Sequence, residues 1–386
     1  MKVKDVVLEM HQEINTVADK VEYVEYGIPI IQSKNFTKGY LDLEDVRYLN
    51  KEDENKYIEK YSPHKADILL ANIGTIGKSY VIKEEQKFLI AWNVFLIKPN
   101  REKVLSDFLK YYFDYLASTH YFEGLLTGGT VKFINKAKIG DIALPDINID
   151  KQTQICNLLC AVEELIIKRE KELQLLDELI KARFVEMFGN PVDNSRKDKV
   201  ELSEICEKIT DGEHGSVARV PSGHPFLNAK HVLKNGRIDW ATITYVGDED
   251  HQRIYKRCNP VEGDILLTTT GTIGNVAIMP KSEEVSMDRG ITLLKIDRKK
   301  VTSEFVAELL KQPSIQAEMG VNVHASAIGH LFMNKVKKLP AILPLMESQV
   351  EFTDFVRQVD KSKAAVKKAL DEVQLLFDSL MQKYFG

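Results

Sequence analysis

The chain contains a tandem duplication, and a duplicated chain must fold as two copies of one architecture. Residues 66–77, ADILLANIGTIG, return as residues 263–274, GDILLTTTGTIG, an offset of 197 residues (Asp67 to Asp264). Upstream, GIPIIQSK at Gly27–Lys34 matches GHPFLNAK at Gly223–Lys230. Downstream, FINK at Phe133–Lys136 and Leu144-Pro145 answer FMNK at Phe332–Lys335 and Leu343-Pro344, and Phe188-Gly189 answers Phe385-Gly386. Chance recurrence would not keep order and spacing over the whole length.

Each half divides into two unlike parts. Residues 1–150 and 191–346 hold short β-branched and aromatic runs broken by Gly, Pro and Asn, such as DILLANIGTIG, KFLIAWNVFLIKP and GITLLKID. These read as short strands and turns of an α+β domain with a curved sheet, plus a helix near Ser106–Leu116 and its copy Ser303–Leu310. Residues 151–190 and 347–386 lack Gly and Pro until their last few positions, so each predicts one long helix.

The helical parts carry a heptad seam. Ile155, Leu159, Val162, Ile166, Arg169, Leu173, Leu176, Ile180, Arg183 and Met187 alternate spacings of four and three. The second copy has Phe352, Val356, Val359, Lys363, Val366, Leu370, Val373, Phe377, Leu380 and Tyr384 at the same places. A narrow apolar stripe needs a partner, and the other helix supplies one. Antiparallel pairing with pseudo-twofold symmetry would bury both seams in an antiparallel coiled coil about 50 Å long at ~1.5 Å per residue. Arg169, Arg183 and Lys363 interrupt the stripe, either by snorkelling or as a polar layer that sets register.

Composition narrows the chemistry. Lys+Arg number 53 against 57 Asp+Glu, with 44% hydrophobic and 28% charged residues, which excludes a largely disordered chain or a disulfide scaffold. Cys156, Cys160, Cys206 and Cys258 form no CxxC, so a reducing compartment is expected and a structural zinc is not. The opening MKVKDVVLEMHQEINTV has no apolar core of a secretory signal, and no run reaches the length of a membrane span, so a cytoplasmic protein is expected. No nucleophile elbow, HExxH, GxGxxG or methyltransferase motif is present, so no catalytic residue and no metal site is assigned. Asn72–Ser79 looks like a phosphate-binding loop, but Asn72 stands where that motif wants Gly. The copy also replaces Lys78 and Ser79 with Asn275 and Val276. A Gly-punctuated turn between strands is the simpler reading.

What remains is a set of small, polar and basic residues at expected turns. The first domain offers Lys34, Asn35, Lys38, Lys78, Gly129, Thr130 and Lys132. The second offers Arg219, Asn228, Lys230, His231, Lys234, Thr269, Thr270, Asn275, Arg289, Asn322 and His324. Amides and guanidinium groups pair with base edges and lysines with phosphates, so these are the candidate DNA-binding residues.

With these blocks in view, the chain resembles the specificity subunit (HsdS) of Type I restriction-modification enzymes over nearly all its length. The resemblance rests on the order globular, helix, globular, helix. It also rests on the paired DILL…GTIG blocks, the Leu-Pro segments, the openings Gln154-Ile155 and Gln349-Val350, and FGNP at Phe188–Pro191. It implies that 1–150 and 191–346 are target recognition domains, each reading half of a bipartite, asymmetric site in double-stranded DNA. It implies that the helices are a spacer and a docking surface for two methyltransferase (modification) subunits, with restriction/translocase subunits completing the complex. The chain itself would be non-catalytic and hold no cofactor; S-adenosylmethionine, ATP and Mg would belong to the partners. The alternative is a non-catalytic coiled-coil scaffold that binds proteins. Val3–Leu8 can be laid on Val200–Ile205, but the first copy has nothing matching Thr210-Asp211-Gly212.

Overall fold

The computed structural model describes residues 1–386 except 13, 15–20, 38, 51–56, 58–61 and 323–328. Two uninterrupted helices of 40 residues, Ile149–Phe188 and Met346–Phe385, run through it. The chain forms two compact units, Met1–Glu170 with Lys368–Gly386, and Lys171–Lys367. Each unit therefore joins a globular part to the first half of its own long helix and the last half of the other.

In the first unit the main sheet has order β1-β8-β5-β6, from Val7–Gln12, Val94–Pro99, Ile68–Ala71 and Ser79–Val81, all antiparallel. A smaller sheet, β2-β4-β3-β7, is built from Tyr23–Val24, Arg47–Leu49, Ile28–Ile31 and Leu89–Ile90. β5 is buried on both faces because side chains alternate across a strand. Ile68 and Leu70, with Phe95 and Ile97, pack toward the Ser106–Ser118 helix, while Leu69, Ala71 and Leu96 face a second cluster with Ile31 and Phe88.

The second unit repeats this. Its main sheet is β10-β16-β13-β14, from Cys206–Asp211, Ile291–Ile296, Ile265–Thr268 and Val276–Ile278. Registers match: Ile68 faces Ile97 and Ile265 faces Leu294, each 197 residues on. The smaller sheet joins Thr244–Val246 (β12), His224–Leu227 (β11) and Ser286–Met287 (β15). Lys199–Glu201 (β9) pairs with Pro340–Ile342 (β17), where the first copy keeps only the Lys2–Ala143 bridge. The helix expected at Ser303–Leu310 has those bounds, and that at Ser106–Leu116 runs on to Ser118.

Within each unit the long helices lie antiparallel. In the second, Ile180 and Phe184 share a core with Phe352, Val356 and Val359, and Arg183 Nη2 lies 3.0 Å from Glu351 Oε1. Lys363 Nζ reaches Asp177 Oδ1 at 2.6 Å, so these two seam cations meet acids of the facing helix. Such half-exposed pairs are worth about 0–1 kcal/mol. In the first unit Ile155 and Leu159 pack with Phe377, Leu380 and Met381.

The heptad seam is not the whole apolar face. Phe184 and Phe188, and their counterparts Met381 and Phe385, leave the stripe to plug the globular part. Phe184 stands 5.6 Å from the Phe305 ring and 5.4 Å from Phe352, and Phe385 stands 5.2 Å from Phe108. Helix ends that bury against both a helix and a domain need a wider apolar arc than a two-helix seam.

Glutamine at the start of each helix closes the joint. Gln152, fully buried, accepts from Leu105 N (2.9 Å) and donates to Lys103 O (3.1 Å) and Ile147 O (2.7 Å). Gln349, fully buried, accepts from Thr302 N (3.0 Å) and donates to Lys300 O (2.9 Å) and Pro344 O (3.0 Å). The residue answering Gln349 is thus Gln152, not Gln154. Three other alignments also shift, the first being Leu144-Pro145, since Ile147 O takes the bond that Pro344 O takes and Pro344 therefore answers Ile147 rather than Pro145. Val3 N bonds Ile142 O as Leu202 N bonds Leu339 O, so the first strand is offset by 199 (Val3 to Leu202) rather than laid on Val200. Phe133 answers His330 and not Phe332, because Ile134 N bonds Asn72 O as Leu331 N bonds Thr269 O.

Candidate nucleic-acid interface

At one end of the main sheet, three backbone segments are clamped alike in both copies. In the first, Trp92 N bonds Ile14 O (3.0 Å), Asn72 N bonds Asn93 O (3.3 Å) and Ile134 N bonds Asn72 O (3.2 Å). In the second, Arg289 N bonds Glu213 O (2.9 Å), Thr269 N bonds Gly290 O (2.8 Å) and Leu331 N bonds Thr269 O (2.8 Å). The residue after β5 or β13 is the hub. Trp92 and Phe133 flank it in one copy, Arg289 and His330 in the other.

The turn beyond the hub is the GTIG segment. Gly74 and Gly77 have φ of +77° and +86°, and Gly271 and Gly274 have +73° and +91°, a region in which a Cβ is strained. Gly77 N bonds Ala71 O and Gly274 N bonds Thr268 O, each at 2.9 Å. A strand, Ser79–Val81, follows instead of a helix. The loop consequently lacks the helix N-terminus that a phosphate-binding loop uses. The repeated glycines serve a tight hairpin.

The structure sorts the candidate residues. Lys78, Gly129, Thr130 and Lys132 of the first copy are exposed, as are Lys230, Lys234 and Arg289 of the second. None of these five lysines and arginines enters an ion pair among the described residues. Lys34 is exposed but sits 2.6 Å from Asp45. Arg219 lies over the Phe226 ring at 4.0 Å and donates to Val217 O at 2.7 Å. Thr270 is half-buried, its hydroxyl 2.7 Å from His330 Nδ1. Lys38 and His324 lie outside the described residues.

Six other candidates are buried or half-buried. Asn35 is buried: its Oδ1 accepts from Gln32 N (2.9 Å) and its Nδ2 donates to Asp42 O (3.2 Å) and Asp45 O (2.9 Å). His231, fully buried, does the same work with different atoms. Its Nδ1 accepts from Asn228 N (3.0 Å), leaving a protonated Nε2 for Thr242 O (3.2 Å). Burial holds its pKa below the ordinary histidine value, so the ring is neutral. Asn228 is the residue whose backbone is so capped. Thr269 is buried as the hub, and Asn275 Nδ2 donates to Val232 O at 2.8 Å. Asn322 Nδ2 is likewise spent, on Glu318 O at 2.8 Å, closing the Pro313–Val321 helix. Asn35, His231 and Thr269 are corrected from contact residues to scaffold, because they are buried and serve the turns, whereas Asn228, Asn275 and Asn322 are half-buried and keep part of the amide outside these bonds.

Trp92, Phe133 and His330 went unnoticed in the sequence. Trp92 and Phe133 are 39% and 36% exposed, large for aromatic residues beside a tight turn. Matching FINK with FMNK hid the pairing of Phe133 with His330; holding the offset at 197 through that segment reveals it. The three histidines of residues 214–231 scatter: His214 bonds Asp211 (2.8 Å), His224 stacks on His251 (3.6 Å), and His231 is buried. No cluster fit to hold a metal exists among the described residues. The thiols of Cys156, Cys206 and Cys258 are pushed up to about 12 by burial and stay protonated.

The family model described as Type I restriction modification DNA specificity domain matches residues 1–178 and again 196–375. The chain belongs to that family. The MjaVIII type I restriction enzyme specificity subunit of Methanocaldococcus jannaschii is 20% identical over 398 residues, covering 94% of this chain and 91% of that one. Among solved structures, a chain from work on complex assembly and conformational transition of the type I R-M system superposes with a TM-score of 0.59. It shares 14% identity, covering 100% of this chain and 96% of the other. The S subunit of the M. genitalium type I system gives 0.52 at 14% identity, covering 100% and 95%. These likenesses establish the fold. No helix among the described residues is long and apolar enough to cross a membrane.

Proposed function

We propose that this chain is the sequence-reading, non-catalytic part of a type I restriction-modification enzyme, with residues 1–150 and 191–346 each reading one half of a bipartite, asymmetric DNA site. The observation that carries this reading is the repeated backbone clamp: one scaffold, preserved bond for bond, displays different side chains in its two copies. Two readers with different tips recognise two different short sequences. A protein scaffold has no need of such a contrast at a shared hub. Lys78, Lys132, Lys230 and Lys234, exposed and without an ion pair among the described residues, suit phosphate contacts, which position a reader without specifying bases.

Net charge is only −4, so much of the phosphate affinity would come from partners that close around the DNA. Those partners are two modification subunits and the restriction/translocase subunits, in the cytoplasm; S-adenosylmethionine, ATP and Mg belong to them. The long helices would act as spacer and docking surface.

Inserting one heptad into each long helix, at 170/171 and 367/368, tests this. Seven residues add about 10 Å, roughly three base pairs. Methylation mapping in cells is expected to show both half-sequences retained and the gap between them lengthened. An unchanged gap would refute the spacer. Replacing residues 191–346 by the same region of a relative should change one half-site only; a protein scaffold would leave the methylated sequence as it was.

A further inference from the structure

We propose that Arg289 and His330 form the base-discriminating pair of the second copy and recognise a guanine from the major groove, a proposal that rests on the DNA-reading function above. Guanine presents two acceptors there, O6 and N7, whereas adenine pairs its N7 with a donor. A site made of two donors therefore selects guanine.

Arg289 is built for display. Its backbone N–H is held by Glu213 O at 2.9 Å, and Asp288 Oδ1 accepts from Gly290 N at 2.8 Å, which fixes the turn on both sides. The side chain is exposed and meets no hydrogen-bond or ion-pair partner among the described residues. Acids nearby would ordinarily capture such a cation, but here they are already engaged. Asp211 is bonded by Arg257 and by His214 (2.8 Å). Glu213 is bonded by Arg253 and by Gly215 N (2.8 Å), and Asp288 by the Gly290 N–H just described. Arg257 and Arg253 thus pair with two of these carboxylates, and Asp288, turned to Gly290 N, feels the charge of Arg289 without bonding it.

His330 stands on the other side of the Thr269 hub. Its Nδ1 lies 2.7 Å from the Thr270 hydroxyl, and its ring rests edge-on to Phe332 at 4.7 Å, so its orientation is set. Burial and the charge of Arg289 hold its pKa below the ordinary value, which keeps the ring neutral. The proposal assigns the tautomer in which the Thr270 hydroxyl donates to Nδ1, and that tautomer leaves Nε2–H as a donor. The corresponding places in the first copy hold Trp92 and Phe133, which present no polar edge beyond the indole N–H. Arg289 should therefore affect one half-site only.

The test uses the full chain with its modification partners. Methylation mapping is expected to show a guanine in one half-site at which Arg289→Ala loses discrimination, with the other half-site untouched; Trp92→Ala should alter only the other half. In vitro, the wild-type complex should bind a duplex carrying 7-deazaguanine at that position about tenfold or more weakly, while Arg289→Ala binds both duplexes alike. If Arg289→Ala abolishes methylation, Arg289→Lys decides, since it keeps the charge and loses the two-pronged donor. A relaxed guanine position in that variant supports the pair. A wild-type motif in either variant, or equal wild-type affinity for the two duplexes, overturns it. A wild-type chain that directs no two-part motif at all would instead sink the DNA-reading function itself.

Discussion

At positions 152 and 349 a glutamine closes the same three backbone groups in both copies, whereas at positions 92 and 289 a tryptophan stands opposite an arginine. The first pair lies in a sealed joint, where any other side chain would leave an N–H and two carbonyls without partners. The second lies at an exposed tip, where nothing internal depends on the side chain. Duplicated copies drift where packing releases them, and the release here coincides with the surface offered to a ligand. Asn35 and His231 form an intermediate case: the residue differs, but the bond it makes to the turn survives.

The comparison can be broken first in the core. Phe184→Ala, which empties a fully buried position among Phe188, Phe305 and Phe352, is expected to cost about 3–5 kcal/mol in the unit 171–367. Region-resolved hydrogen exchange should place the loss there and spare strands β5 and β8. A loss spread evenly over both units would show that they do not unfold as separate bodies.

A smaller, symmetrical effect is expected at the helix starts. Gln152→Ala and Gln349→Ala each strand the same set of buried backbone groups, for about 1–3 kcal/mol apiece. Urea unfolding that gave clearly unequal losses would mean that the two joints only look alike.

The least effect separates histidine from asparagine. His231 is held neutral by burial, so its folded pKa lies below its unfolded value of about 6.5. The unfolded chain then binds more protons, and stability falls as pH drops through that value and levels off above it. His231→Asn, which copies Asn35, should flatten part of this slope between pH 5 and 8 in the urea midpoints. Parallel slopes would rule out His231 as a contributor.

Architecture was legible in the sequence because repetition and heptad spacing are properties of spacing alone. The strands around DILL and the two long helices needed only alternation, punctuation and period. The plugs Phe184, Phe188, Met381 and Phe385 were less so, since a seam traced at alternate threes and fours follows one stripe and overlooks a second face turned to a domain. Side-chain direction was least legible. Asn35, His231 and Thr269 have the chemistry of base readers, yet they are spent on turns, and no pattern distinguishes a displayed amide from a capping one when both follow a short strand. His330 was hidden by the chance similarity of FINK and FMNK, two residues out of structural step.

Because Met381 and Phe385 complete the unit that holds Phe108 and Ile155, neither half of the gene encodes a self-sufficient body. A product cut after residue 190 would keep the socket and lose the stopper. It would retain Phe184 and Phe188, which in the full chain fill the other socket, so each copy carries a plug cut for its sister and only the duplicated polypeptide stops both.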